Sequence, residues 1–339
     1  MNEAFWNHKK IFIIGAAGFI GSTVARYLLD FPGQFFIAGI DNLNDYYDVS
    51  LKQDRISRLQ DERFRFIKGD ICDAAFLEEL FQRFRPDIVI HMAAQAGVRY
   101  SLENPQAFLD ANVNGFFHVL EMCRRYPVQH LLFASSSSVY GEADHYPSAE
   151  DDSTDLPVSF YAATKKSGEV MAHSYAAMYG IPITGMRFFT VYGPWGRPDM
   201  AYYRFAEEMK NGEDIPLFNY GDCKRDFTYI DDCVEGIIRL CEKAPELPVP
   251  FEIYNIGKGS PNDLMDFVRI LHEEMVNAGL VTDDYDLESH IRRVPPQPGD
   301  VRETYADTRK LQERFGYQPQ TDLRTGLHRF AEWYGKRNR

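Results

Sequence analysis

Tyr161 and Lys165 are spaced so that they could act together in acid–base chemistry. They lie four residues apart in the helix-like segment 160–179, and on a helix this spacing places both side chains on one face. A phenol near its reference pKa of about 10 is a poor base at neutral pH, but a neighbouring ammonium favours the phenolate. The pair therefore predicts a general base at Tyr161. Taken alone, the spacing also fits a half-buried tyrosine beside a solvated lysine.

Four consecutive serines, Ser135, Ser136, Ser137 and Ser138, could add hydroxyl groups to such a site. They follow the apolar run 130–134, which predicts a strand. The carboxyl end of a buried strand is where α/β sheets bind ligands. Serines in loops also commonly cap their own backbone amides. The serine row by itself leaves both interpretations open.

The amino-terminal segment has the order of elements that a dinucleotide-binding fold needs. Residues 10–14 predict a strand, residues 22–30 predict a helix, and the turn Gly15-Ala-Ala-Gly18-Phe19-Ile20-Gly21 lies between them. The glycines let the backbone approach a pyrophosphate, and the amino end of the helix offers unpaired N–H groups and a positive dipole. In this context, the Gly-x-x-Gly-x-x-Gly pattern predicts a cofactor site.

Asp41 follows the second predicted strand, 35–40, twenty residues after Gly21. A carboxylate at this position accepts hydrogen bonds from an adenosine ribose and repels a 2′-phosphate. NAD is therefore favoured over NADP as the cofactor. The alternative is an ordinary turn aspartate before Asn42.

Strands and helices alternate along the first half of the chain. The predicted strands and helices that follow are, in order, 64–68, 74–84, 87–91, 105–126, 130–134, 160–179 and 183–189. This alternation predicts an α/β fold, a Rossmann-type doubly wound parallel sheet. Residues 93–97 stay small just past a strand end, as a closely approached cofactor requires. Asn112 and Asn114 fall in the predicted helix 105–126, where spacing alone does not define their role.

The regular alternation breaks at the Gly- and Pro-rich stretch 190–199. We therefore predict an NAD-binding domain over residues 1–189 and a smaller α/β substrate domain over residues 190–339, with segments of the second returning to the first. Its predicted elements are helices at 201–211, 231–242, 261–278 and 323–334 and a strand at 251–256.

The composition describes a globular chain of 339 residues, long enough for two domains or one large one. The net charge of -13 disfavours binding to nucleic acid or to anionic membranes, because both need basic surface. The five cysteines form no Cys-x-x-Cys pair and accompany no histidine cluster, so neither a metal site nor disulfides are predicted, and a cytoplasmic location fits. Neither a signal peptide nor a membrane-spanning run is predicted.

Several motifs, taken in order, resemble those of the extended short-chain dehydrogenase/reductases and, among them, the nucleotide-sugar epimerases. These motifs lie at 15–21, 41, 70–71, 91–94, 135–141, 161–165, 187–194 and 225–231. The resemblance spans nearly the whole chain. It implies tightly bound NAD, catalytic roles for Tyr161, Lys165 and Ser136, and a homodimer formed through the helices 105–126 and 160–179. The NAD contacts that it implies are Gly15, Gly18, Phe19, Ile20, Gly21, Asp41, Asn42, Asp70, Ile71, Ala93, Ala94, Gln95, Asn112, Tyr161 and Lys165.

A narrower set of motifs, at 41–47, 94–105, 134–140, 190–200 and 297–301, resembles epimerases that act on UDP-glucuronate at carbon 4. This resemblance implies interconversion with UDP-galacturonate, a precursor of surface polysaccharide. In the implied mechanism, Tyr161 as phenolate takes the proton of the sugar 4-hydroxyl with help from Ser136, while the hydride at carbon 4 passes to NAD. Lys165 holds the nicotinamide ribose. The 4-keto sugar then rotates and receives the hydride on its other face.

Ser138 stands where related decarboxylases and 4,6-dehydratases usually carry glutamate, two residues before the tyrosine of Val-Tyr-Gly. The missing acid argues for epimerisation. A 4-keto uronate loses carbon dioxide when its carboxylate bond stands perpendicular to the carbonyl plane, so the site must restrain that group. We expect Arg197 to bind the carboxylate, because a planar guanidinium can meet it bidentately, and Ser137, Ser138 and Thr190 to complete the clamp. The alternative is that Arg197 is a surface loop arginine.

The resemblance places UDP against the second domain. The implied contacts to the diphosphate, the uracil and the ribose are, in that order, Arg225, Phe218 and Asp300. Gln297 stands where many relatives have an arginine for the diphosphate. Arg99 and Arg302 are the candidates to replace that arginine.

Other activities remain open at the level of sequence. The runner-up is a UDP-hexose or UDP-N-acetylhexosaminuronate 4-epimerase, although Thr190 replaces the asparagine common in UDP-hexose epimerases. Decarboxylation of UDP-glucuronate is a third possibility within enzymes. A noncatalytic, NAD-sensing regulator with the same fold is the alternative outside enzymes. Such regulators typically lose the catalytic tyrosine or lysine, and both are present here.

Overall fold

The computed structural model describes residues 2–143, 145–246 and 248–338. Its strands are β1 Lys10–Ile14, β2 Phe36–Asp41, β3 Phe64–Lys68, β4 Ile88–His91, β5 His130–Ser136, β6 Ile183–Phe188, β7 Thr190–Tyr192, β8 Ile215–Leu217, β9 Lys224–Tyr229, β10 Phe251–Ile256, β11 Pro261–Asp263 and β12 Ile291–Arg293. Its α-helices are α1 Glu3–Trp6, α2 Phe19–Leu29, α3 Val49–Ser57, α4 Ala74–Phe84, α5 Tyr100–Glu103, α6 Pro105–Phe108, α7 Phe116–Arg125, α8 Phe160–Tyr179, α9 Ala201–Asn211, α10 Ile230–Cys241, α11 Leu264–Asn277, α12 Leu287–His290, α13 Arg309–Phe315 and α14 Leu323–Arg337. Among these residues, no helix combines the length and the apolar character needed to cross a lipid bilayer.

A seven-stranded sheet forms the centre of the molecule, in the order β10-β6-β5-β4-β1-β2-β3. Every neighbouring pair is parallel, which confirms the predicted Rossmann-type α/β fold. The edge strand β10 comes from the second half of the chain and pairs with β6, with Phe251 opposite Ile183. All seven strands therefore end at one edge of the sheet, where ligands bind in such folds.

The apolar run of β1 shows why this sheet is buried on both faces. Ile11 and Ile13 pack into one hydrophobic cluster together with side chains of α2. Phe12 and Ile14 pack into a second cluster together with side chains of α4. Because successive side chains of a strand point to opposite faces, a continuous apolar run is what a doubly covered strand requires.

A smaller α/β layer follows β6. Its strands form a three-stranded sheet in the order β11-β9-β7 and a parallel pair of β12 and β8. Helices α9, α11 and α14 pack around it, and the aromatic rings of Tyr202, Phe227, Phe267 and Phe330 lie in its core.

Two predicted helices differ from the structure, one in helix type and one in where it begins. The segment 105–126 is helical, but Leu109–Gly115 is a π-helix between α6 and α7. The segment 261–278 begins as strand β11, and its helix starts at Leu264. Helix α3 has no counterpart in the sequence-based prediction, although it proves important at the site.

Candidate active site

A cavity of about 560 Å³ opens at the carboxyl ends of the central strands. Many of the predicted site residues line it. They are Gly15, Gly18, Phe19, Ile20, Gly21, Asp41, Asn42, Asp70, Ile71, Ala93, Ala94, Gln95, Ser136, Ser137, Ser138, Tyr161, Lys165, Thr190 and Arg197. The fold thus gathers residues from distant parts of the chain around one space.

The glycine turn between β1 and α2 presents backbone rather than side chains. Gly15 has φ +89°, and a Cβ on Gly21 would lie 2.2 Å from the Gly15 carbonyl oxygen. Gly18 is the N-cap of α2 and supplies no side-chain cap. The amino end of the helix thus directs its N–H groups and its positive dipole towards a ligand. This cradle fits the pyrophosphate of NAD.

Asp41 ends β2 in the wall of the cavity. Its carboxylate accepts hydrogen bonds from the backbone N–H groups of Ala17 at 3.0 Å and Leu43 at 2.9 Å. Burial raises the pKa of Asp41, and these backbone donors oppose the rise. The carboxylate therefore ties the glycine turn to the sheet as well as lining the cavity. Beside it, Asn42 donates to Asp70 at 2.9 Å.

Tyr161 and Lys165 project into the cavity from the first turns of α8. The helix begins after Ser159, whose side chain caps it. Lys165 Nζ donates to the carbonyl oxygen of Ala134 at 2.8 Å and lies 5.9 Å from the centre of the Tyr161 ring. The helix therefore presents both side chains on one face, as their spacing predicts.

The protein alone does not lower the pKa of Tyr161. Burial raises this pKa, and the nearby Ser136 hydroxyl and Arg197 guanidinium only oppose the rise. Burial also lowers the pKa of Lys165 to about 7, and the Arg197 charge adds to this effect. Lys165 is therefore not sufficient to hold Tyr161 as phenolate. Phenolate formation needs a further positive charge, such as that of oxidised NAD.

The lowered pKa of Lys165 predicts a pH-dependent stability. This pKa is about 7 in the folded protein against an ordinary value of 10.5, so between these values the folded protein binds fewer protons than the unfolded chain. The free energy of unfolding should rise with pH in that window, by up to about 1.4 kcal/mol per pH unit. Lys165→Met should remove this contribution, as measured by urea unfolding of both proteins at about pH 7.5 and about pH 8.5. An equal rise in the two proteins would contradict the assignment.

The hydroxyls of the four serines, 135–138, lie partly in the core and partly in the cavity. Ser135 Oγ donates to the buried Glu169 at 2.6 Å. Ser136 Oγ accepts from the Ser138 backbone N–H at 3.1 Å, and the two hydroxyls are also 3.1 Å apart. Ser136 therefore caps the 3-10 turn that follows β5 and lies in the same cavity as Tyr161. Ser136 therefore fits both interpretations of the four serines, because its hydroxyl caps a backbone amide and also lies in the cavity.

Arg197 lies in the cavity wall, and its guanidinium is paired within the protein. Nε and Nη2 donate to the carboxylate of Asp199 at 2.9 and 2.7 Å, and the Tyr46 hydroxyl donates to the same carboxylate at 3.2 Å. Burial alone would raise the pKa of Asp199, but the Arg197 charge holds it below its ordinary value. Asp199 and Tyr46 are not among the site residues predicted from sequence, although both lie within the motifs 190–200 and 41–47. They fix one edge of the guanidinium.

Three predicted substrate residues form a second cluster beside the cavity. Arg99 Nη2 lies 3.2 Å from the Asp300 carboxylate, and the Arg99 guanidinium lies 3.9 Å from the centre of the Phe218 ring. The loop that carries Asp300 approaches Val98, which lines the cavity. The cluster thus offers a cation, an aromatic face and a carboxylate next to the main site.

Arg225 supports the loop of this second cluster. Its Nη2 donates to the Val301 carbonyl at 2.6 Å and its Nη1 to the Arg302 carbonyl at 3.0 Å. Arg302 itself is exposed and pairs with Asp222. Of the two candidates to replace a diphosphate arginine, the position of Arg99 beside Phe218 favours Arg99.

Comparison with known protein families fixes the relationship. Residues 11–257 match the model of the NAD dependent epimerase/dehydratase family. The chain belongs to this family. In this NAD-dependent epimerase/dehydratase, the matched region runs from β1 through β10 and so includes all seven strands of the central sheet.

Relatives of this epimerase/dehydratase match it along nearly its whole length. It is 42% identical over 341 residues to the Arabidopsis thaliana protein UDP-glucuronate 4-epimerase 4, covering 97% of this chain and 76% of the relative. The crystal structure of UDP-glucuronic acid 4-epimerase from Bacillus cereus, in complex with UDP-glucuronic acid and NAD, matches with a TM-score of 0.86, 32% identity and coverage of 97% and 100% of the two chains. UDP-glucose 4-epimerase from Thermotoga maritima matches with a TM-score of 0.84, 29% identity and the same coverage. Because enzymes for both sugars share the fold, the sugar must be argued from the site.

Asn112 of this epimerase/dehydratase lies behind the cavity rather than in its wall. Its side chain accepts from the Gln95 backbone N–H at 2.8 Å and donates to the Gln95 carbonyl and to Thr164 Oγ1, both at 3.0 Å. Asn112 belongs to the π-helical segment, a type of helix that often marks functional sites. Its amide thus holds the loop after β4, whose Gln95 lines the cavity.

Proposed function

We propose that this protein catalyses the reversible 4-epimerisation of UDP-glucuronate to UDP-galacturonate with tightly bound NAD. The observation that carries this proposal is one cavity that combines the glycine cradle, the acid–base residues Tyr161 and Lys165, and the guanidinium of Arg197. The relatives that are named as UDP-glucuronate 4-epimerases support the same substrate.

The chain's own residues perform the proton chemistry. Bound NAD supplies a reversible hydride acceptor together with a positive charge. The glycine turn would hold its pyrophosphate, Asp41 its adenosine ribose and Lys165 its nicotinamide ribose. Tyr161 as phenolate takes the proton of the sugar 4-hydroxyl and returns it once the other face of the sugar is presented. Ser136, in the same cavity, orients that hydroxyl.

Arg197 gives the site its preference for a uronate. Asp199 occupies the Nε edge of the guanidinium, and Nη2 also donates to Met200 Sδ at 3.8 Å, which leaves Nη1 to meet a carboxylate. A carboxylate held there can be kept out of the perpendicular geometry that releases carbon dioxide. Ser138, which lines the same cavity, would present a hydroxyl and not an acid to the sugar. Both features favour epimerisation over decarboxylation.

The second cluster is our proposed site for UDP. Phe218 and Arg99 would bind the uracil and the diphosphate, and Asp300 the ribose, while Arg225 supports their loop. This proposal assigns UDP recognition mainly to residues 190–339. Within that range, β10 belongs to the central sheet instead. Arg99 is contributed by the first half of the chain.

Incubation of the purified protein with UDP-glucuronate, without added NAD, tests the proposal. We expect UDP-galacturonate to accumulate without carbon dioxide, because NAD is retained and regenerated. Release of carbon dioxide would indicate a decarboxylase. Turnover of UDP-glucose but not of UDP-glucuronate would indicate a hexose epimerase. The absence of any reaction, even with added NAD, would favour a noncatalytic, NAD-sensing regulator.

Replacement of Arg197 should remove uronate turnover selectively. Arg197→Met should lower kcat/KM for UDP-glucuronate by at least about thirtyfold, the expected cost of a lost charged hydrogen bond. The value for UDP-glucose should change little. The double variant Arg197→Met Asp199→Asn, which leaves no unpaired carboxylate, should show the same selectivity. Arg204→Met, which removes an exposed arginine paired with Glu208, is the matched control. Equal losses with both sugars would contradict the carboxylate assignment.

We also propose a homodimer formed through α7 and α8. Both helices expose apolar side chains, including Phe117, Val170 and Tyr179, and such side chains favour burial against a second copy. Val170→Glu should halve the mass measured by light scattering. Leu156→Glu, at an exposed loop residue outside these helices, should leave the mass unchanged. A monomeric parent protein would contradict the proposal.

A cytoplasmic location is the last part of the proposal. All five cysteines are free thiols, and four of them are buried. Reduced cysteines of this kind are typical of proteins that stay in a reducing compartment.

A further inference from the structure

Arg55 on α3 is a fully buried cation whose hydrogen-bonding capacity is used completely. Its Nε and Nη2 donate to the carbonyl oxygen of Trp195 at 3.0 and 2.7 Å, and Nη2 also donates to that of Gly196 at 3.0 Å. Nη1 donates to the carbonyl oxygen of Ala17 at 3.0 Å and to the Tyr47 hydroxyl at 2.6 Å. An arginine has five N–H donors in a fixed fork, and each one has an acceptor here.

These acceptors belong to two different parts of the proposed site. Ala17 lies in the glycine turn, and its own N–H donates to Asp41. Gly196 directly precedes Arg197 in the chain. A continuous path of hydrogen bonds therefore runs from the carboxylate expected to bind ribose, through Arg55, to the peptide beside the arginine expected to bind the sugar carboxylate.

The loop that Arg55 holds has little freedom of its own. Trp195 has φ +66°, a left-handed conformation that is strained for a residue with a side chain. The Arg58 guanidinium lies 4.2 Å from the indole ring centre, and the Trp333 ring packs 5.3 Å away. A Cβ on Gly196 would lie 1.6 Å from the Tyr202 hydroxyl. Such strain persists only where the surroundings impose it, and the four bonds to this loop and the glycine turn are part of that constraint.

We propose that Arg55 is a positioning residue that fixes the Arg197 loop against the glycine turn and thereby sets the preference for a sugar carrying a carboxylate. This inference deepens the proposed function and rests on it. Without the guanidinium, the carbonyl groups of Trp195 and Gly196 lose their donors, and the backbone at Trp195 can relax. Arg197 then loses its fixed position, whereas the second cluster, which would bind UDP, keeps its contacts.

The test measures affinity by isothermal titration calorimetry on NAD-loaded protein that carries Tyr161→Phe, so that bound sugar is not turned over. UDP-glucuronate and UDP-glucose are titrated into this reference protein and into versions that add Arg55→Met or Arg55→Lys. We expect Arg55→Met to weaken UDP-glucuronate binding at least about tenfold and UDP-glucose binding less than about threefold. Lysine offers three donors from one atom, so the affinity of Arg55→Lys for UDP-glucuronate should lie between those of the reference protein and Arg55→Met.

Arg63→Met is the matched control for the loss of an arginine that binds carbonyl groups. Arg63 donates to the carbonyl oxygens of Leu29 at 2.6 Å and Phe31 at 2.9 Å, away from the cavity. Its replacement should leave the ratio of the two affinities unchanged. If Arg55→Met does not fold, the inference is tested by the ratio of the two affinities in Arg55→Lys.

Two outcomes overturn the inference alone: unchanged affinities for both ligands in the Arg55 variants, or equal losses of affinity for both ligands, which would mean a merely structural role. If the reference protein itself shows no preference for UDP-glucuronate, the proposed function is wrong and the inference fails with it. A selective loss for UDP-glucuronate in Arg55→Met, absent from Arg63→Met, supports the inference.

Discussion

Replacement of Tyr161 by phenylalanine should lower turnover of UDP-glucuronate by at least about a hundredfold, the usual contribution of a positioned general base. The substitution keeps the ring, which packs edge-on against Phe108 with 6.0 Å between centres. It removes only the hydroxyl that we propose takes the proton of the sugar. NAD should stay bound, because the glycine turn and Asp41 are unchanged. The measurements are the initial rate of UDP-galacturonate formation and the NAD content of the purified protein.

Tyr175 on the same helix provides the control for this substitution. Its hydroxyl donates to Glu121 at 2.8 Å outside the cavity, so Tyr175→Phe removes a bonded phenol without touching the site. Its turnover should remain within about twofold of the parent value. Turnover that survives in Tyr161→Phe would refute the base assignment, and loss of NAD would assign the residue to cofactor binding instead.

Replacement of Glu169 by glutamine should lower the free energy of unfolding by about 3 kcal/mol or more. Glu169 on α8 and Arg187 on β6 form two hydrogen bonds of 2.9 Å, and neither side chain is more than 4% exposed. The other acceptors of the guanidinium, the Tyr140 hydroxyl and the Glu150 carbonyl, are neutral. The substitution therefore leaves a buried charge without its counter-ion. Urea unfolding of the parent and the variant measures the loss.

An exposed ion pair supplies the comparison. Arg83 and Glu79 pair at 2.9 Å on the surface of α4, and Glu79→Gln should cost less than about 0.5 kcal/mol. A double variant with apolar residues, Glu169→Leu Arg187→Met, should be less destabilised than Glu169→Gln, because it buries no unpaired charge. Similar losses in Glu169→Gln and Glu79→Gln would show that the buried charge is compensated in another way.

The gathering of the glycine turn, Asp41, Tyr161 and Lys165 around one cavity could be predicted from sequence because local patterns define these residues. A strand, a glycine turn and a helix occupy consecutive residues, and Asp41 follows the next strand at a fixed distance. Tyr161 and Lys165 are related by one helical turn. In each case the separation along the chain determines the separation in the folded protein, so residue type and position were enough to predict that these residues lie together.

The rest depends on contacts that no local pattern records. Helix α3 carries few apolar residues, so periodicity did not reveal it, and the carbonyl groups that bind Arg55 lie 38, 140 and 141 residues away along the chain. In the sequence, nothing distinguishes Asp199 from an ordinary loop aspartate. Its contacts with Arg197 and Tyr46 are seen only in the folded protein. Asn112, which was expected to contact NAD, lies in the π-helical segment, and its amide bonds to the Gln95 backbone. These roles appear only once separate segments are packed together.

The position of β10 has a consequence for how the protein is made. Its neighbour β6 leaves the ribosome long before β10, because β7, α9, β8, β9 and α10 are encoded between them. Until β10 arrives, β6 is an open edge whose N–H and C=O groups can pair with other chains. A fragment of residues 1–189 therefore holds the glycine turn, Tyr161 and Lys165 but lacks the strand that pairs with the outer side of β6. Produced alone, it should self-associate through that edge rather than behave as an independent cofactor-binding domain.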